Sequence, residues 1–182
     1  MNLLYNIPNY LTLMRVCFIP VIVMTFYFED SKFAHRLGGI VFVIASITDF
    51  IDGYIARKLR LTSNFGKMFD PIADKILVVS VVVMLIKNGR ANEIACLLIL
   101  IREFIVAGLR EFLGQIQVSM PVSRLSKIKT IIQMVSLTLL IIGSKGSNII
   151  LLDNIANALL WITVIFTLVT GFLYLKATSK YF

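Results

Sequence analysis

Six long apolar runs, separated by short polar and mostly basic breaks, make up most of the chain. They lie at about Tyr10–Phe28, Leu37–Arg57, Phe69–Ile86, Glu93–Phe112, Ile128–Ile142 and Ile149–Leu175. Apolar runs of this length predict membrane-spanning helices rather than barrel strands. The expected fold is all-α, a polytopic membrane protein with six transmembrane helices. Met1–Asn9 carries Tyr5, Ile7 and Pro8 among polar residues and reads as a short N-terminal interfacial segment, with Asn9 or Thr12 capping the first helix. Glu29–Arg36 is a polar loop, Lys58–Lys67 a basic one, and Lys87–Asn92 a tight turn around Gly89. Gly114–Ser126 is a polar connector and Gly143–Asn148 a Gly/Ser/Lys turn. Pro71 suits the start of the third helix, with Asp70 and Asp74 in its first turns. The last run is long enough to tilt, and Lys176, Lys180, Tyr181 and Phe182 suit an interfacial anchor. No internal repeat is visible, and the length allows one domain over residues 1–182.

Composition agrees with this pattern. Hydrophobic residues make up 58% of the chain and mean hydropathy is +0.89, far from a soluble globular composition. The first apolar run lacks a small-residue cleavage motif and is expected to be retained as a span. A net charge of +8 raises the question of nucleic acid, but the basic residues are dispersed through the loops. Membrane lipid headgroups and phosphorylated substrates are the expected partners instead, with no nucleic acid. The breaks after runs two and four hold Arg57, Lys58, Arg60, Lys67, Arg110, Arg124, Lys127 and Lys129. The alternate breaks dilute their basic residues with Glu29, Asp30, Glu93 and Asp153. Lys and Arg asymmetry therefore puts the first set, and both termini, in the cytoplasm. The expected location is the bacterial inner (cytoplasmic) membrane. Cys17 and Cys96 sit in apolar runs and read as membrane-facing or packing residues. His35 reads as a solvated loop residue.

Charges inside the runs carry the chemistry. Asp49 and Asp52 are spaced i,i+3, and Asp70 and Asp74 i,i+4. On helices each spacing puts both carboxylates on one face, one turn apart. Two such helices facing each other would gather four carboxylates in one small volume, which only cations make tolerable. Hard oxygen ligands without His or Cys favour two divalent cations, Mg²⁺ or Mn²⁺, over zinc. Gly53, Ala56 and Gly66 are small enough to let a bulky ligand reach the backbone, and Arg57 offers a fork for a phosphate. Two carboxylate pairs suit in-line displacement at phosphorus, with one uncommitted carboxylate taking a proton from the attacking hydroxyl. Arg15, inside the first run, needs an acidic partner, water or phosphate unless it snorkels to the interface. Arg102, Arg110, Lys127 and Lys129 suit a basic pocket for an acceptor phosphate. Alternatively Glu103 and Arg110, seven apart on one helical face, pair structurally.

The eight residues Asp49, Asp52, Gly53, Ala56, Arg57, Gly66, Asp70 and Asp74 match D-x2-D-G-x2-A-R-x8-G-x3-D-x3-D at every fixed position and gap. This is the signature of the CDP-alcohol phosphotransferase family, which the chain therefore resembles. The resemblance implies that Asp49, Asp52 and Asp70 are metal ligands and that Asp74 both touches metal and acts as the base. It also implies that Gly53, Ala56 and Arg57 line the CDP moiety, with Gly66 permitting close helix approach, and that the protein is a homodimer. Four stretches resemble the phosphatidylglycerophosphate synthase subgroup: Ile7-Pro8-Asn9 with Leu11, Thr12 and Arg15; Asp70-Pro71-Ile72-Ala73-Asp74-Lys75; Ile101-Arg102-Glu103 with Leu109-Arg110; and Ser123–Thr130. Ser126 departs from that subgroup, which usually has Gly there. The implied reaction moves the phosphatidyl group of CDP-diacylglycerol to glycerol 3-phosphate. Serine, inositol phosphate and phosphatidylglycerol are rival acceptors. A cation transporter using intramembrane aspartates, or an inactive lipid-binding scaffold, would account for the acidic pairs differently.

Overall fold

The computed structural model describes the backbone of residues 3–59, 64–118 and 123–181, and the side chains of 13–48, 72–118 and 123–181. The chain forms α1 (Leu3–Thr25), α2 (Lys32–Leu59), α3 (Asn64–Lys87), α4 (Glu93–Gln115), α5 (Arg124–Ser147) and α6 (Leu152–Thr178), ending in a 3-10 turn at Ser179–Tyr181. No strand occurs among the described residues. The shortest helices have 23 residues, roughly 35 Å at 1.5 Å per residue, against a hydrocarbon layer of about 30 Å. Among the described residues, Arg124–Ser147 and Leu152–Tyr181 are both long and apolar enough to cross a membrane. α4 carries Glu93, Arg102, Glu103, Arg110 and Glu111, and these charges interrupt its hydropathy. Large apolar side chains such as Met24, Val83, Phe104, Ile131 and Phe172 stand exposed on the outer faces. A surface of this kind fits a bilayer.

Four helices begin earlier than their sequence pattern predicts, α2 at Lys32 rather than Leu37 and α5 at Arg124 rather than Ile128 among them. α1 starts at Leu3 and passes through Pro8, so no separate interfacial segment precedes it. Pro8 removes one backbone donor, a loss that a helix of 23 residues absorbs. α3 starts at Asn64 rather than near Phe69, which places Pro71 inside the helix. Phe65, Met68, Phe69, Ile72 and Ile76 keep the i, i+3, i+4 apolar spacing. Lys67 had disguised that continuity as loop. The later boundaries follow the sequence more closely. Asn92 caps α4, its side chain accepting from Ala95 N at 3.0 Å, and Ser123 caps α5. Gly143 breaks α5 with φ 57° and ψ −177°, where the turn is expected.

The helices pack in a ring: α3 on α1, α1 on α2, α2 on α5, α5 on α6, and α6 on α4. The last junction, between α3 and both α4 and α5, is sparse among the described residues. The core joins Ile22 and Phe26, Phe42, Leu77 and Leu85, Ile99, Leu140, and Leu160 from the six helices. Cys96 is buried there, whereas Cys17 is exposed, and both thiols are free. Gly38 and Gly39 let α2 approach two neighbours at once. A Cβ at Gly38 would stand 2.5 Å from Thr25 Oγ1, and one at Gly39 2.5 Å from Ile142 Cγ1. Gly38→Ala is therefore expected to destabilise the protein by about 1–3 kcal/mol, read as a lower melting temperature in detergent.

His35 is not the solvated loop residue that its surroundings in the sequence suggest. It lies in the first turns of α2 and is 4% exposed. Its Nε2 donates to the Glu29 carbonyl at 2.8 Å, and Nδ1 accepts from Arg90 Nη1 at 2.8 Å. Arg90 also donates to the Ile141 carbonyl at 3.1 Å, and its own carbonyl accepts from Asn157 at 3.3 Å. Burial lowers the Arg90 pKa from its ordinary range, with Asp153 and Glu29 opposing the shift. This cluster ties two loops to α5 and α6, at the end of the ring away from the aspartate pairs.

Candidate active site

Asp49 and Asp52 lie on α2, and Asp70 and Asp74 on α3, so both spacings fall on helices. The early start of α3 makes Asp70 and Asp74 its seventh and eleventh residues rather than part of its first turns. Gly53, Ala56 and Arg57 are helical in α2 and Gly66 in α3. The side chains of Asp49, Asp52, Asp70 and Arg57 lie outside those described. Asp74 is half-buried and accepts no hydrogen bond from any described residue. Among the described residues nothing occupies its carboxylate oxygens, which suits a cation ligand or a base.

Asp74 lines a cavity of about 440 Å³ between α2 and α5. Val43, Ser46 and Ile47 form one wall, and Ile131, Met134 and Val135 the other. Ser46 is one turn before Asp49 on α2, so Asp74 faces the turn that leads into the first aspartate pair. Ile47, Ile131 and Val135 are exposed on the outer surface, which leaves the cavity open sideways. Apart from Asp74 and a few hydroxyls it is apolar, a lining suited to hydrocarbon.

On the other side of Asp74 stands a buried ionic cluster. Glu103 of α4 accepts from Lys75 of α3 and from Lys129 of α5. Arg102 Nη1 donates to Glu103 Oε1 at 3.1 Å. Its Nη2 donates to Thr170 Oγ1 of α6 at 3.0 Å, while Nε has no partner among the described residues. Gly171 makes room for this arm, since a Cβ there would lie 3.0 Å from Arg102 Cγ. Lys129 is 2% exposed. Three cations on one carboxylate leave an excess of two positive charges. Arg15, 1% exposed, does not snorkel to the interface. It lies within electrostatic reach of Asp74, as do Lys75, Glu103 and Lys129.

Of the four basic residues expected at an acceptor phosphate, the structure brings Arg102 and Lys129 together. Arg110 and Lys127 are exposed. The Arg110 guanidinium sits 5.6 Å from the centre of the Tyr174 ring, rather than pairing with Glu103. Sequence reasoning placed Lys75 and Glu103 in stretches that carry the resemblance but gave them no role at the site, and it passed over Thr170. Only Lys75, directly after Asp74, offered a positional signal. Thr170 had none, because a Thr on an apolar span reads as packing.

The family model described as CDP-alcohol phosphatidyltransferase matches residues 5–169, and the chain belongs to that family. The CDP-diacylglycerol–glycerol-3-phosphate 3-phosphatidyltransferase of Rickettsia felis is 58% identical over 177 residues, covering 97% of each chain. The enzyme of the same name from Bacillus subtilis is 37% identical and covers 94% of each chain.

Proposed function

We propose that the protein is an integral membrane enzyme that transfers the phosphatidyl group of CDP-diacylglycerol to glycerol 3-phosphate, giving phosphatidylglycerophosphate and CMP. The carrying observation is the meeting, around Asp74, of a sideways-open apolar cavity and a buried cationic cluster. The cavity suits an acyl chain of the donor, which stays in the bilayer while its diphosphate lies among the aspartates. The cluster suits the acceptor: a phosphomonoester carries about −1.5 to −2 charge at neutral pH, matching the excess of two positive charges. Arg102 Nε adds a buried donor with no partner among the described residues. Arg110 and Lys127 lie nearer the joined ends of α4 and α5, where they would draw an anionic acceptor inward.

The acceptor's primary hydroxyl attacks the phosphorus that bears diacylglycerol, Asp74 takes its proton, and the bond to CMP breaks. Mg²⁺ or Mn²⁺ held by Asp49, Asp52, Asp70 and Asp74 would offset the charge on the diphosphate and polarise its phosphorus–oxygen bonds. Gly53, Ala56 and Arg57 line the CDP moiety in this reading, with Gly66 where the helices approach. The reading extends to six membrane crossings, with both termini and the site toward the cytoplasm, and to a homodimer. The basic residues after α2 and α4 support the orientation.

Purified protein in detergent, given CDP-diacylglycerol and Mg²⁺, is expected to release CMP only when glycerol 3-phosphate is added. Chelating the metal should abolish release. Release with serine or phosphatidylglycerol instead would overturn the acceptor assignment.

A further inference from the structure

Glu103 joins three helices through one carboxylate. Oε2 takes Lys75 of α3, and Oε1 takes both Lys129 of α5 and Arg102 of its own helix. Arg102 is held at its other arm by Thr170 of α6, so the hub reaches four helices. The place of this hub matters. α3 rests chiefly on α1, and its seam with α4 and α5 is the sparse junction of the ring. The hub therefore adds a directional tie where the described helices touch least, beside the apolar core that α3 shares with α4 and α5. Lys75 is the residue after Asp74, so fixing the Lys75 ammonium fixes the turn that aims the Asp74 carboxylate.

We infer that Glu103 is a positioning residue: it registers the Asp74 turn of α3 against the Arg102 and Lys129 cations, setting the distance between base and acceptor phosphate. This rests on the acceptor reading above. Without its charge, the three cations lose the carboxylate that bridges them, and each takes a new position. The acceptor then meets a displaced set of cations and a rotated base. The donor, held by the aspartate motif and the α2–α5 cavity, shares only Asp74 with this hub.

The test measures CMP release by wild type and Glu103→Gln in detergent, varying CDP-diacylglycerol and glycerol 3-phosphate in turn. Glu103→Gln keeps shape and removes charge. It should lower kcat/KM for the acceptor by about 10–100-fold, the size of loss when a supporting carboxylate is removed behind a functional group. The donor KM should rise less than the acceptor KM, since Asp74 alone is common to the two sides. Glu103→Asp, which retains the charge on a shorter stem, should recover part of the loss. Wild-type acceptor kinetics in Glu103→Gln would overturn the inference, and so would an equal rise in both KM values. If Glu103→Gln does not fold, Glu103→Asp and Thr170→Val take its place, and an unchanged acceptor KM in both overturns it. Failure of wild type to respond to glycerol 3-phosphate would instead overturn the acceptor reading itself.

Discussion

Asp74→Asn is expected to lower turnover about a thousandfold or more, within the range that positioned acid–base groups contribute. Its melting temperature in detergent should stay close to that of wild type. The two halves of this expectation have one structural cause. The Asp74 carboxylate accepts no hydrogen bond from any described residue, so replacing one oxygen by an amide breaks none of the described contacts of α3. The side chain keeps its size, and the cavity between α2 and α5 keeps its wall. What is lost is a charge and a basic oxygen at the point where cavity and cationic cluster meet. An amide neither takes a proton from a hydroxyl nor donates a full charge to a cation. Full activity in Asp74→Asn, measured as CMP release, would refute the role. A loss matched by a large fall in melting temperature would show that Asp74 serves the fold instead.

The sequence exposed those parts of the protein that depend on short-range order. Six helices were legible because a helix reveals itself in one run of residues, and both aspartate spacings fall within a single helix. Helix starts were less legible. Lys67 hid the apolar spacing that carries α3 back to Asn64, and Pro8 suggested a boundary that a long helix does not need. The ionic cluster was largely hidden, because its members come from four helices separated by up to 95 positions, from Lys75 to Thr170. Glu103 and Arg110 lie on one face by spacing alone, yet Glu103 turns to cations from α3 and α5 that no local rule could supply. His35 shows the same limit. A polar stretch of sequence implied solvent, but Glu29, Arg90 and the end of α5 close over it.

Lys129→Met is expected to raise the KM for glycerol 3-phosphate about 10-fold to 100-fold, since a hydrogen bond to a charged group contributes about 1.5–3 kcal/mol. Met keeps the apolar stem and fills a site that is 2% exposed, so the packing of α5 against its neighbours survives. Lys127→Met, two residues away and exposed, should change KM less than about threefold, because an exposed charge acts through screened, longer-range attraction. The contrast between the two variants is the informative quantity. Its salt dependence adds a second check: raising ionic strength should weaken acceptor capture in wild type and blunt the small Lys127 effect, while the Lys129 effect persists. Equal effects from both lysines would mean that the acceptor is held at the exposed ends of α4 and α5. Arg102 and its Thr170 anchor would then belong to the fold alone. A large Lys129 effect on the donor KM would instead place the diphosphate, not the acceptor, against the cluster.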